Sequence, residues 1–193
     1  MARPRSETRR AAILTAAASV IATEGLTAPT AAIAKQAGVS NGSLFLYFDT
    51  KTTLFNELYV ALKTEMGEAA VEGLPETGDA RKRLRHLWTR WLRWATSNPE
   101  KRRALAQLEV ADEVTAESHR LVRDTQRDMA ELLETCREGG PVQDVPLSFV
   151  LILTGAIADA TMDAMIREPG NADSHSATAF EAVWRVIAGP TAH

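Results

Sequence analysis

Apolar residues recur three and four positions apart along most of the chain, and runs that alternate apolar with polar residues are missing. That spacing belongs to amphipathic helices rather than strands. Breakers cut the pattern into stretches of helical length. They stand at Gly25, Pro29, Gly38, Gly73-Leu74-Pro75, Pro99, Gly139-Gly140-Pro141 and Pro169-Gly170. The expectation is an all-α protein of about nine helices. They are placed near residues 6–24, 29–37, 40–48, 50–72, 79–97, 99–110, 116–138, 146–167 and 173–188. In the first, Ile13, Ala16, Ala17, Val20 and Ile21 form the apolar stripe, and Gly25 stands where a left-handed cap belongs. The most apolar run is 147–158. It is shorter than the roughly 20 residues a bilayer needs, and Asp159 and Asp163 follow it, so a buried helix is expected and no membrane span.

The chain has 193 residues, 45% of them apolar and 24% charged, which excludes disordered and collagen-like classes. Net charge is −3, a balance that by itself speaks against a nucleic-acid partner. Its distribution changes the picture. Residues 1–51 carry +3 (Arg3, Arg5, Arg9, Arg10, Lys35 and Lys51 against Glu7, Glu24 and Asp49), and the remainder carries −6. A basic head on an acidic body suits a small module that meets an anion. The single cysteine, Cys136, rules out a disulfide within the chain and suits a reducing cytoplasm. Residues 11–22 follow a basic start like the core of a signal peptide. Only Ile13, Leu14, Val20 and Ile21 are large there, however, and Glu7 interrupts the basic stretch, so a helix of the mature protein is expected.

The informative stretch is TAAIAKQAGVSNGSLFLYFDTK, residues 30–51. Two short helices joined through a glycine turn form a helix-turn-helix pattern. Ala34 is small where the second helix crosses the first, Gly38 supplies positive φ, and Ser40 is a good N-cap. Ile33, Ala37, Val39, Leu44 and Phe48 are expected to face inward. That leaves Asn41, Gly42, Ser43, Leu46 and Tyr47 on the outer side, where a recognition helix meets the major groove.

The run IAKQAGVSNGSLFLYFDTKTTLF, residues 33–55, resembles the tetracycline-repressor (TetR) family of bacterial regulators. The resemblance rests on Ile33, Ala34, Ala37, Gly38, Val39, Ser40, Gly42, Ser43, Leu44, Phe45, Tyr47, Phe48, Lys51 and Leu54. It implies a homodimer that binds double-stranded DNA at an inverted repeat, and a body that takes a small-molecule effector. Carried over by position, Asn41 and Ser43 meet bases or phosphate, with Ser40 and Gly42 at the start of the same helix. Tyr47 and Lys51 meet phosphate, and Thr30 is a further phosphate candidate. Phe45 replaces the more usual tyrosine. Leu46 stands where polar or basic residues are common, and either touches a thymine methyl or covers backbone. The Arg3-Pro4-Arg5 arm either reaches the DNA or is a solvated terminus.

The head is expected to span residues 1–51 and the helical ligand-binding and dimerisation body 52–193, with the loop at 73–78 the plainest break. In the body, nine Lys or Arg residues at 81–103 interleave with Trp88, Trp91 and Trp94. Leu84, Leu87, Trp88, Trp91, Trp94 and Ala95 form one stripe, so a core face with a solvated basic face is expected rather than a stacking platform for single strands. Trp88, Trp91, Met129, Leu133, Thr154 and Asp159 are candidates for a ligand pocket, with plain core as the competing reading. The helix at 146–167 is apolar on two sides. One stripe runs through Leu151 and Thr154, the other through Phe149, Ile152, Leu153, Ala156 and Ala160. With Gly155 for close approach, and Phe180, Trp184 and Ile187 on the last helix, it predicts a four-helix dimer interface; a monomer that covers both faces itself is the alternative.

Catalytic signals are absent. His86, His119, His175 and His193 are scattered, no metal-ligand spacing or phosphate-binding glycine loop occurs, and no cofactor is expected. The resulting expectation is a cytoplasmic, dimeric, sequence-specific transcriptional regulator, a repressor released by a ligand and not an enzyme. The competing expectation is a small-molecule-binding helical protein with a weak or vestigial DNA-binding head.

Overall fold

A computed structural model describes residues 3–189, with side chains from Ser6 onward. The side chains of the Arg3-Pro4-Arg5 arm lie outside the described residues. The described residues form ten α-helices and one 3-10 turn, with no strand. The helices are α1 (Arg3–Glu24), α2 (Thr30–Gln36), α3 (Asn41–Phe45), α4 (Lys51–Val71), α5 (Ala80–Ser97), α6 (Pro99–Glu109), α7 (Ala116–Thr125), α8 (Arg127–Arg137), α9 (Leu147–Arg167) and α10 (Ala172–Ala188). The extra helix arises where one helix was expected over 116–138. The chain turns at Gln126 and resumes as α8. Val122 is buried, and the next buried side chain is Leu132; between them only Gln126, Met129 and Ala130 are even half-buried, so little packing holds this stretch as one straight helix. The short recognition helix α3 also ends earlier than its pattern suggested, with Leu46 as its C-cap.

Two compact units form. The first holds the chain up to Glu65 together with Asn98–Asp124. Here α1 packs on α6 and on α2, and α2 packs on α3. Ile13, Ala17, Ile21, Ile33, Leu44, Phe48, Leu54 and Leu108 are fully buried. The turn between α2 and α3 is fixed by hydrogen bonds that need a left-handed residue. Gly38 takes φ +68°, its N–H reaches Lys35 O at 3.2 Å, and the Val39 N–H reaches Ala34 O at 3.0 Å.

Asn56 joins α4 to the loop before α7. Its Nδ2 donates to Thr52 O and Glu113 O at 2.8 and 2.7 Å. Its Oδ1 accepts from the Thr115 N–H, the Thr115 hydroxyl and the Ser118 hydroxyl at 2.8, 3.0 and 2.7 Å. One turn on, the Tyr59 hydroxyl shares a hydrogen bond of 2.9 Å with His119 Nδ1. Burial pushes the Tyr59 phenol up to about 12, with the Glu109 charge adding to it. The neutral phenol is thus the native form, and its contribution to stability is lost only as pH rises above the ordinary phenol range.

The second unit holds Met66–Ser97 and the chain from Thr125 on. α10 packs against α9, α5 and α8, and α5 also meets α8 and α9. The Trp88 indole N–H donates to Ser176 O at 3.1 Å, while Arg81 and Arg85 both hold Glu181. Their guanidinium groups lie over the rings of Trp184 and Phe180, at 5.4 and 4.8 Å from the centroids. Lys82 and Arg93 are on the exposed side of α5, so the basic stretch is a solvated face over a tryptophan core.

α9 is buried on one side only. Val150, Thr154, Ala158, Thr161 and Met162 face the unit's core, while Phe149, Leu151, Ile152 and Ile166 are exposed. By length and composition it is able to cross a membrane, with a mean hydropathy of 1.7 over its most apolar window. Two features set it apart from a span. Its inner side is taken by α5 and α10, and two carboxylates, Asp159 and Asp163, lie on its exposed side.

Candidate nucleic-acid interface

α3 is a five-residue helix whose start is tied by its own side chains. The Ser40 hydroxyl accepts the Ser43 N–H at 3.0 Å and lies 2.8 Å from the Ser43 hydroxyl. The same device recurs at α4, where the Thr50 hydroxyl accepts the Thr53 N–H at 3.0 Å and meets the Thr53 hydroxyl at 2.9 Å. Both helices therefore begin at fixed points, with N–H groups of the first turn left for an outside partner.

Leu44 anchors α3 inward at 0% exposure. The positions four apart, Asn41 with Phe45 and Gly42 with Leu46, form the outward strip, and all four are exposed. Leu46 is the most exposed large apolar residue here, at 84%. Ser43 and Tyr47 are half-buried at the edges of the strip, and Ser40 is exposed. Lys51 is the first residue of α4, half-buried, with its Nζ 5.3 Å from the centre of the Phe55 ring. Its stem is thus laid along an apolar surface while its ammonium sits at the helix start. Thr30, half-buried, opens α2, where Pro29 supplies no side-chain cap.

Gly42 is informative because the fold does not require it. Its φ is not positive, and a Cβ built there meets nothing within 4 Å. Neither the backbone conformation nor packing within the chain therefore calls for a glycine at this position.

Residues 13–58 match the family described as bacterial regulatory proteins, tetR family. Solved structures agree over nearly the whole chain. A TetR-family regulator from Shewanella sp. PV-4 is 23% identical, with a TM-score of 0.81 over 93% of this chain and 97% of that one. A TetR-family regulator from Marinobacter aquaeolei VT8 is 20% identical, with a TM-score of 0.81 over 96% and 98%. FadR from Bacillus subtilis, solved in complex with stearoyl-CoA, is 18% identical, with a TM-score of 0.67 over 93% and 98%. Residues 13–58 thus carry the tetR-family pattern, and the chain as a whole shares the fold of these solved structures.

The remaining expected sites lie in the second unit. Of the pocket candidates, Trp88, Leu133 and Thr154 are buried, Trp91 and Met129 are half-buried, and Asp159 is exposed. Trp88 and Trp91 meet edge to face, with ring centres 6.0 Å apart. The Thr154 hydroxyl donates to Val150 O or Leu151 O of its own helix. Among the dimer candidates, Leu151 is 49% exposed, and Gly155 has open space around it. Trp184 is half-buried and stacks on Phe180 at 6.4 Å. Phe180 and Ile187 are 1% and 0% exposed, so their side chains are spent on the chain's own core. Ile152 and Phe149, at 66% and 51%, are the large exposed groups of this surface.

Sequence reasoning passed over Asn56, whose five hydrogen bonds tie the helix that begins with Lys51. The signal was a side-chain amide inside an apolar helical stretch, a residue type that seeks backbone partners.

Proposed function

We propose that this chain is a dimeric, sequence-specific regulator of transcription that acts in the cytoplasm by binding an inverted repeat in double-stranded DNA. The observation that carries this reading is the outward strip of α3. It has no role inside the chain and includes a glycine that the fold does not need. A major groove admits one such helix. Asn41, Ser43 and Tyr47 offer polar groups along it. Lys51 and the start of α4 grip phosphate, because the ammonium and the helix dipole act on the same anion. Ser40 and Thr30 add hydroxyls at the starts of the neighbouring helices. Residues 1–51 serve as the DNA-binding domain and 52–193 as the effector and dimerisation domain.

Repression relieved by a small molecule is the mode proposed. It is supported by the buried Trp88, Leu133 and Thr154 on three helices of the second unit, with Trp91 edge to face on Trp88, and by the stearoyl-CoA seen with the structurally similar FadR. An effector of mainly apolar character fits these side chains. Its binding must weaken DNA affinity by the same factor by which DNA weakens effector binding.

Selection of bound fragments from random DNA tests the reading. It is expected to return an inverted repeat with half-site centres about 34–36 Å apart or a small multiple of that. Recovery of no shared sequence, or of a single half-site held by a monomer, would overturn it. Lys51→Ala is expected to weaken binding without changing the preferred sequence, and to lower the log–log salt slope by about 0.9 for each phosphate that is no longer neutralised. An unchanged slope would make Lys51 an ordinary surface lysine. Gly42→Ala is expected to keep the fold, with stability equal or higher by up to about 1 kcal/mol, and to weaken DNA binding. Normal DNA binding by this variant would remove close backbone approach from the interface.

A further inference from the structure

We propose that Leu46, with Phe45 beside it, reads the C5-methyl group of a thymine in each half-site. This rests on the DNA-binding reading above and names what that surface recognises.

Leu46 is 84% exposed at the outer end of α3, and Phe45 is 39% exposed next to it. Neither side chain has a donor or an acceptor for a base edge or a phosphate. Laying Leu46 on a phosphate would strip water from the anion and give nothing back. In the major groove, the one apolar feature of unmodified DNA is the thymine methyl. The polar groups nearby are partly committed elsewhere. The Ser43 hydroxyl lies 2.8 Å from the Ser40 hydroxyl, which itself accepts the Ser43 N–H. Gly42, one turn before Leu46, leaves open space on the same strip, so a base edge is able to approach the leucine without meeting another side chain. An exposed apolar strip and an adjoining gap together fit a protruding methyl. They do not fit guanine, whose acceptors call for arginine or lysine.

The test uses the full chain and Leu46→Ala on a duplex recovered by selection from random DNA. Each thymine is replaced in turn by deoxyuridine, in both half-sites together, which removes one methyl and nothing else. At one thymine position the exchange is expected to weaken the wild type about fourfold per half-site and about fifteenfold over two, the worth of a buried methyl group. Leu46→Ala is expected to lose a similar factor on the intact duplex and to be indifferent to uridine at that position. Circular dichroism should be unchanged, since Leu46 supports nothing inside the chain. At the same position, a C·G pair methylated on C5 should bind the wild type more tightly than unmethylated C·G, and Leu46→Ala should not distinguish the two. That arm shows the methyl to be the ligand, while selection from unmodified DNA identifies thymine as its source. Uridine exchange that is silent everywhere, or that costs both proteins equally, overturns the proposal and leaves the DNA-binding reading standing. A wild type that selects no sequence at all overturns both.

Discussion

Ile152→Glu is expected to give a folded chain that no longer pairs with a second copy and binds its DNA site about a hundredfold more weakly. Ile152 is 66% exposed, and Phe149, Leu151 and Ile166 are 51%, 49% and 45% exposed on the same helix. Such a surface is the proposed site of dimerisation, because the inner side of α9 is already taken by α5 and α10. In a two-fold interface each substitution occurs twice, and the patch meets itself. Two glutamates would be brought into a dry contact that already carries Asp159 and Asp163. Uncompensated buried charge costs several kcal/mol, enough to separate subunits at ordinary concentrations. DNA affinity then falls because each half-site is held alone, without the effective concentration that a partner supplies. Gly155→Arg is a second variant with the same expected outcome, since a side chain there meets nothing of its own chain within 4 Å of the first carbon. Sedimentation gives the mass, circular dichroism the fold and a binding titration the affinity. A dimeric Ile152→Glu protein with normal DNA binding would remove α9 from the interface.

Phe48→Ala is expected to cost about 3–5 kcal/mol and to abolish DNA binding. Phe48 is 0% exposed just beyond α3, with the Arg10 guanidinium 5.2 Å from its ring centre. The cavity would lie directly behind the recognition helix. Five residues cannot hold a helix without tertiary support, so α3 would loosen first. The contrast with Leu46→Ala, two positions away, is diagnostic: the exposed leucine should change stability by no more than about 0.5 kcal/mol. Urea denaturation followed by circular dichroism measures both. All four tryptophans lie in the second unit, so their emission reports on that unit while the first melts. An unchanged urea midpoint for Phe48→Ala would show that the head does not lean on this ring.

The head was readable in the amino-acid order because its constraints are local. Gly38 needs a left-handed backbone, Ser40 caps the next helix, and Leu44 and Phe48 keep the inward spacing; each of these acts over a few residues. The break at Gln126 was not readable. The residues from 116 to 138 are individually compatible with one helix, and what separates α7 from α8 is where each finds a core. The sidedness of α10 was lost for a related reason. Spacing puts Phe180, Trp184 and Ile187 on one stripe, but it does not say which neighbour covers that stripe. The structure gives Phe180 and Ile187 to the chain's own core. For α9 the two apolar sides were legible, and the exposed one is the stripe through Phe149, Ile152, Ala156 and Ala160. Asp159 lies on that exposed side rather than in the interior, because it falls seven positions after Ile152 and shares its face.

The first unit is assembled from two separate pieces of chain, the stretch up to Glu65 and Asn98–Asp124. α6 covers α1, Gln107 donates to Ile21 O at 3.0 Å, and Lys63 pairs with Glu109 at 2.6 Å. A ribosome making this protein therefore releases the helix-turn-helix well before the helix that closes it. Until residue 109 has emerged, the apolar side of α1 has no α6 to lie against, and the growing chain carries an unfinished head while the whole stretch Met66–Ser97 is synthesised. Expression of the first 65 residues alone would make that transient state permanent, so the smallest piece expected to hold the recognition helix firmly extends to the end of α7.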